Sequence, residues 1–249
     1  MSSQHYFEAQ PLAAHRPGLV RVVLPDVYLE LETDSGVFSP GRLDPGTRLL
    51  LEEAPGPPAS GDILDLGCGY GPIACVLAAR SPGATVWAVD VNERALGLCA
   101  RNAARAGLGN VRCVTPSSPE IPQRLAGIWS NPPVRIGKAA LHDLLLSWLA
   151  RLTPGVPGAL AAPGALAAPG APAAAGAPDA PVAPDAPGSR AYLVMGRNLG
   201  ADSLHSWLDK QGWPVTRLAA RSGYRLLAVS QGLRGSSHGL AERGDSGDG

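Results

Sequence analysis

Hydrophobic and polar positions alternate over two short stretches, 19–24 and 27–32, separated by Pro25-Asp26. That period of two, broken by a turn dipeptide, predicts a β-hairpin. The turn-rich loop Thr33-Asp34-Ser35-Gly36-Val37-Phe38 follows, and Asp44-Pro45-Gly46-Thr47 opens a short helix through Leu49, Leu50 and Leu51, closed by the prolines of 55–58. From Asp62 the pattern changes. Compact apolar runs at 63–66, 85–89, 111–114 and 126–129 read as strands, and longer stretches at 71–80, 93–106 and 138–152 read as helices. Pro82 and Gly107 punctuate the first two helices. A strand is predicted at 191–195, a helix at 202–211 and two strands at 215–219 and 224–229; the last two are close enough to form an antiparallel hairpin. Strands alternating with helices at this spacing define an α/β fold, with a mostly parallel sheet covered by helices on both faces.

Composition separates this ordered pattern from two segments of another kind. Residues 154–188 are almost wholly Ala, Pro and Gly, with near-repeats of Gly-Ala-Leu-Ala-Ala-Pro, and 232–249 are Gly/Ser-rich and polar. Frequent prolines break a helix, and small side chains bury too little surface to offset the entropy of ordering. The domain reading is therefore a hairpin and lead-in helix over 1–58, a core over 59–231 interrupted by a disordered insert at 154–188, and a disordered tail at 232–249. With 249 residues, 45% of them hydrophobic, the chain can bury one sizeable core.

Formal net charge is zero, so no bulk electrostatic term favours nucleic acid, and any RNA binding has to use local basic groups. Cys68, Cys75, Cys99 and Cys113 are scattered, without Cys-x-x-Cys or paired histidines. They read as reduced, buried thiols, with no metal site and no disulfide framework. The first residues lack a basic flank and an apolar stretch, and no run approaches membrane-spanning length. The expectation is a cytoplasmic protein with no membrane contact.

Two sequence features carry chemistry. The first predicted strand of the alternating region ends in Asp65-Leu66-Gly67-Cys68-Gly69-Tyr70-Gly71-Pro72. Glycines at a strand-to-helix turn let the backbone approach a ligand, and the helix start offers free N–H groups. A dinucleotide fingerprint fails because its third glycine position falls on Pro72, and no Gly-x-x-x-x-Gly-Lys run suits a nucleoside triphosphate. Asp65 would repel a pyrophosphate and attract a cation such as a sulfonium. Asp90, ending the next strand, is placed to accept both ribose hydroxyls, or else to cap the following helix. The second feature is Asn131-Pro132-Pro133-Val134 at the end of another strand. Two prolines stiffen the chain and give up donors, leaving the Asn131 side chain and nearby carbonyls as acceptors suited to an NH2 group. The same residues also serve in ordinary turns.

Taken together, these residues resemble class I S-adenosylmethionine-dependent methyltransferases, and more narrowly the methyltransferase small domain family that includes guanine-N2 methyltransferases of small-subunit ribosomal RNA. The matching runs are 33–39, Asp44-Pro45-Gly46-Thr47, 65–73, 89–95, Ser130-Asn131-Pro132-Pro133-Val134-Arg135-Ile136-Gly137-Lys138 and 197–204. The resemblance implies a Rossmann-like, seven-stranded sheet whose last strand is antiparallel. It implies S-adenosyl-L-methionine as cofactor, held by Asp65, Gly67, Gly69 and Asp90 with Asn92 and Ser118 beside them, and a target amine bound by Asn131, Pro132 and Pro133. Ser118 stands in a Thr-Pro-Ser-Ser-Pro run where the family carries an acidic residue near the adenine, and Gly196 stands where members commonly carry Gln.

The implied activity is N-methylation of a guanine N2 amine in small-subunit ribosomal RNA, with RNA in a small-subunit particle as partner. The alternatives are methylation of protein glutamine or a small amine, and a cofactor- or RNA-binding domain without turnover. On the substrate side stand Phe38, Val134, Arg135 and Lys138. Val134 cannot stack on a planar group, so Phe38, Tyr70 or Trp129 would supply the face, with Trp129 reading as core. Arg135 and Lys138, one turn apart, can neutralise phosphates or simply form a solvated helix start.

Overall fold

The structure, a computed structural model, describes residues 16–37, 41–154 and 189–231. The chain opens with β1 (Gly18–Val23) and β2 (Tyr28–Thr33), an antiparallel pair whose register places Val23 opposite Tyr28. Helix α1 (Pro45–Glu53) starts where Asp44 accepts the Thr47 N–H and Pro45 supplies a preset φ. Then follow β3 (Gly61–Leu66), α2 (Pro72–Arg80), β4 (Ala84–Val89), α3 (Glu93–Arg105), β5 (Val111–Val114), β6 (Gly127–Ser130), α4 (Lys138–Leu149), β7 (Arg190–Gly196), α5 (Ala201–Lys210), β8 (Val215–Arg221) and β9 (Tyr224–Ser230).

The main sheet has seven strands in the order β5-β4-β3-β6-β7-β9-β8. Pairings from β5 through β7 are parallel, and β9 runs antiparallel to both β7 and β8. This is the Rossmann-like class I arrangement, with the antiparallel C-terminal hairpin and the N-terminal hairpin both present. The strand order reverses beside β3, where β4 lies on one side and β6 on the other, and such a switch point leaves a crevice at the carboxyl ends of the strands.

Alternating side chains divide the core into two layers. Ile63, Val86, Ala88 and Trp129 face a cluster with α1, α2, α3 and the N-terminal hairpin. Leu64, Leu66, Trp87, Val89 and Ile128 face a second cluster with α4 and α5. The hairpin is tied to the core by Asn102 of α3, whose side chain accepts the Glu32 N–H and donates to the carbonyls of Glu32 and Tyr70.

Helix α4 ends at Leu149, three residues before its predicted end, Leu152. Leu125 N–H donates to the Arg151 carbonyl and Thr153 N–H to that of Leu125, forming a parallel bridge between Leu125 and Leu152 that pulls the chain out of the helix. The predicted insert at 154–188, apart from Pro154, and the predicted tail at 232–249 lie outside the described residues.

Candidate active site

At the carboxyl ends of β3, β4, β6 and β7 lies a cavity of ≈ 520 Å³. Its floor is the glycine loop after β3. Gly67 and Cys68 donate their N–H groups to the Val89 carbonyl at 2.8 and 3.0 Å, and Gly69 N–H donates to Asp90 Oδ2 at 2.9 Å. Gly67, Gly69 and Gly71 all have positive φ, which is what folds the loop back on itself. At Gly71 the need is steric as well: a Cβ there would lie 2.6 Å from Cys99 Sγ, at φ +92°. Gly71→Ala is therefore expected to lower stability by ~1–3 kcal/mol through strain and overpacking, read as a fall in the thermal midpoint.

Asp90 stands on the cavity wall with Oδ1 accepting the Asn92 N–H at 2.9 Å and Oδ2 accepting that of Gly69. Burial raises its pKa, and those N–H bonds oppose the rise. The cap of α3 is Asn92, which accepts the Ala95 N–H, so the capping role considered for Asp90 belongs to its neighbour.

Asp65 lies beneath the loop, fully buried and outside the cavity lining. Oδ2 accepts the Ala74 N–H at 2.8 Å in the first turn of α2, while Oδ1 is buried without a hydrogen-bond partner. Burial pushes its pKa up to about 8, the Ala74 N–H opposing and the Asp90 charge adding to the rise. A carboxyl whose folded pKa exceeds its unfolded one binds more protons folded than unfolded, so stability falls as pH rises from about 4 to about 8. Thermal midpoints of the cofactor-free protein should decline across that window, and Asp65→Asn should flatten the decline.

The opposite wall is the Asn131-Pro132-Pro133 turn after β6. A Cβ on Gly67 would come within 3.8 Å of Pro133 Cδ and 3.9 Å of the Asn131 carbonyl, so the glycine loop and this turn abut. Asn131 Nδ2 donates to Asp44 Oδ2 at 2.9 Å and to Thr47 Oγ1 at 3.1 Å. Both donors of the amide are thus engaged, which fixes the flip of the side chain and leaves Oδ1 as its free acceptor. Asp44 Oδ2 also takes the Thr47 N–H at 2.9 Å, and the Tyr224 hydroxyl reaches Oδ1 at 3.5 Å. Val134, Leu144, Met195 and Leu199 supply the apolar part of the lining.

Of the residues expected at the site, Gly67, Gly69, Asp90, Asn131, Pro132, Pro133, Val134 and Arg135 line this one cavity. Four do not. Asn92 is buried, its Nδ2 given to the Gly36 carbonyl and its Oδ1 to the α3 cap, so it acts on Asp90 only through its N–H. Ser118 Oγ turns to the Glu120 N–H in its own loop, and Pro116 lines the cavity from that segment. Lys138 Nζ donates to Ser203 of α5. It does not share a helix turn with Arg135, because Arg135 sits in a short 3-10 turn and Gly137, at φ +93°, separates that turn from α4. Asp65 is the fourth. Phe38 lies outside the described residues.

Trp129 is core, buried with its ring centroid 5.0 Å from that of Tyr192. Tyr70 does line the cavity, and its buried hydroxyl has no hydrogen-bond partner. The cavity residues to which the sequence assigned no role are Asp44, Thr47 and Tyr224. Asp44 and Thr47 stood in a run that matches the family and opens a helix, and nothing local marks Tyr224. The cysteines, scattered in sequence, converge behind the loop, with Cys99 in hydrogen-bonding reach of Cys68 and Cys113. Burial pushes the Cys75 thiol up to about 12, which keeps it protonated and unreactive. Among the described residues no cluster of His, Cys, Asp and Glu is arranged to hold a metal, and no helix is long and apolar enough to cross a membrane.

A glycine loop over a helix start, an acidic residue at the end of the second core strand and an acceptor turn against the loop define an α/β methyltransferase of the class I type. Comparison with known proteins narrows this. A model of the methyltransferase small domain matches residues 28–161, and the chain belongs to that family. It is 38% identical over 145 residues to the uncharacterized protein YbxB of Bacillus subtilis, covering 57% of this chain and 72% of that one. It is 36% identical over 124 residues to ribosomal RNA small subunit methyltransferase C of Shewanella halifaxensis, covering 48% of this chain and 36% of that protein. The chain thus spans about a third of that longer relative.

Among solved structures, the T. thermophilus 16S rRNA N2 methyltransferase RsmC, in complex with AdoMet and guanosine, superposes with a TM-score of 0.61 at 20% identity, over 89% of this chain and 52% of that one. The likeness shows the shared fold. The cofactor of this methyltransferase is S-adenosyl-L-methionine, and the residues present fit it. Gly69 leaves open space where a Cβ would project, Asp90 lines the wall, and the buried Asp65 carboxyl leaves one oxygen without a partner beneath the loop.

Proposed function

We propose that this protein methylates the exocyclic N2 amine of a guanine in small-subunit ribosomal RNA, in the cytoplasm and within a small-subunit particle. The observation that carries this reading is the fixed Asn131 amide, both of whose donors are taken, on a turn that lines the cavity and abuts the glycine loop. Relatives named as small-subunit ribosomal RNA methyltransferases support the RNA, and Val134 in place of a stacking aromatic favours guanine-N2 over amide substrates.

In this reading Gly67 and Gly69 give the cofactor room at the loop. Asp90 accepts its ribose hydroxyls with the lone pairs left over from its two N–H bonds. Asp65 works from beneath, by holding the first turn of α2 through the Ala74 N–H. When bound, S-adenosyl-L-methionine supplies an electrophilic methyl group on sulfur. An aryl amine is a poor nucleophile because its lone pair is delocalised into the ring. Asn131 Oδ1 and the Pro132 carbonyl accept the two amine hydrogens and orient the nitrogen lone pair toward the loop. Rigid acceptors already in place cost no reorganisation as charge develops on nitrogen. Arg135, exposed at the cavity, neutralises a flanking phosphate. A paired guanine has to leave its stack to enter.

Incubation of the protein with labelled S-adenosyl-L-methionine and undermodified small subunits tests this, with RNA and protein fractions counted separately. Label in the RNA is expected. Label confined to protein would move the substrate to glutamine or another amide, and cofactor binding without transfer to either fraction would leave a binding domain.

A further inference from the structure

Asp44 is assigned no substrate role by the chemistry described above, yet it is the most heavily used side chain at the amine end of the cavity. It is buried, and Oδ2 takes both the Thr47 N–H and the Asn131 amide. Oδ1 is met only by the Tyr224 hydroxyl at 3.5 Å, too long for a strong bond. The Tyr224 ring is held there because it lies against Gly46, where a Cβ would come within 2.6 Å of it. Asp44 and Tyr224 both line the cavity. A buried carboxylate oxygen without a close donor, beside the acceptor that holds the amine, calls for a ligand N–H at the neighbouring position.

The Watson–Crick edge of guanine has that pattern, with N1–H adjacent to the N2 amine. Adenine presents an unprotonated N1, which a carboxylate repels. We propose that Asp44 Oδ1 accepts the N1–H of the target guanine and so selects guanine over bases whose N1 is an acceptor. The assignment rests on the guanine-N2 reading and adds to it a specificity residue, while Asn131 remains the group that holds the amine.

Nucleoside binding to the protein saturated with S-adenosylhomocysteine separates the two roles. Inosine keeps N1–H and lacks the amine; 2-aminopurine riboside keeps the amine and has an acceptor at N1. The wild-type protein should bind inosine at least ~10-fold more tightly than 2-aminopurine riboside, because a buried polar group left unpaired is strongly rejected. Asp44→Asn is the matched variant. Its amide oxygen can still take the Thr47 and Asn131 donors, which turns its NH2 to the Oδ1 position. In that variant the order should reverse, with binding of S-adenosylhomocysteine unchanged.

Equal binding of the two analogues by the wild-type protein, or an unchanged order in Asp44→Asn, would overturn the proposal. If the variant fails to fold, as a melting curve would show, the wild-type order alone decides. Mapping the transferred methyl group is independent of this ranking. A methyl group found elsewhere than guanine N2 defeats the functional reading, whereas guanine-N2 methylation with no N1–H preference defeats only the role of Asp44.

Discussion

Asn131→Ala should reduce methyl transfer by ~10²–10³-fold while leaving cofactor affinity within about twofold, the size of loss seen when one preorganised polar group is removed from a reacting centre. The Asn131 side chain is held by Asp44 and Thr47, residues 87 and 84 positions away in the chain, which fixes the orientation of its amide. Truncation removes the acceptor and also unsatisfies part of Asp44, so a modest fall in thermal midpoint should accompany the loss. The rate is read in single turnovers with saturating RNA, and the affinity by titration with S-adenosylhomocysteine. If cofactor binding collapses along with transfer, Asn131 belongs to the donor side of the cavity and not to the amine end.

Asp90→Ala should have the converse signature: cofactor affinity weakened by ~10²–10³-fold, since each hydrogen bond to a charged group contributes ~1.5–3 kcal/mol and two hydroxyls are at stake. The carboxylate also anchors the Gly69 and Asn92 N–H groups, so the variant loosens the glycine loop as well as losing the proposed ribose contacts. Asp90→Asn keeps one acceptor oxygen and should fall between. At cofactor concentrations high enough to saturate the variant, transfer should largely recover, because nothing at the amine end has changed. A variant whose affinity is normal but whose maximal rate is lost would remove Asp90 from cofactor binding.

Much of the frame was legible because it depends on local pattern. Alternating apolar strands and helices with Gly and Pro punctuation gave the sheet, and Asp65 through Pro72 marked the glycine loop at the cavity. What was hidden depends on contacts between distant segments. Asp44 reads in sequence as a helix cap, and its second partner is Asn131, far along the chain. Asn92 stands two residues from Asp90 and looks like a ligand contact, yet a buried cap and the Gly36 carbonyl claim its side chain. Arg135 and Lys138 have the spacing of one helix turn, but the positive φ of Gly137 divides them. The cysteines look unrelated until β5 and α3 bring Cys113 and Cys99 behind the Cys68 loop.

In the proposed reaction a fixed Asn131 acceptor beside the glycine loop directs a methyl group to an RNA amine. Mass spectrometry of nucleosides from small-subunit RNA, treated with the protein and isotopically labelled S-adenosyl-L-methionine, tests it most directly. Label is expected in N2-methylguanosine at a discrete site, and is expected to be absent with Asn131→Ala. Label in a methylated adenosine, in a ribose-methylated nucleoside or only in protein would contradict it.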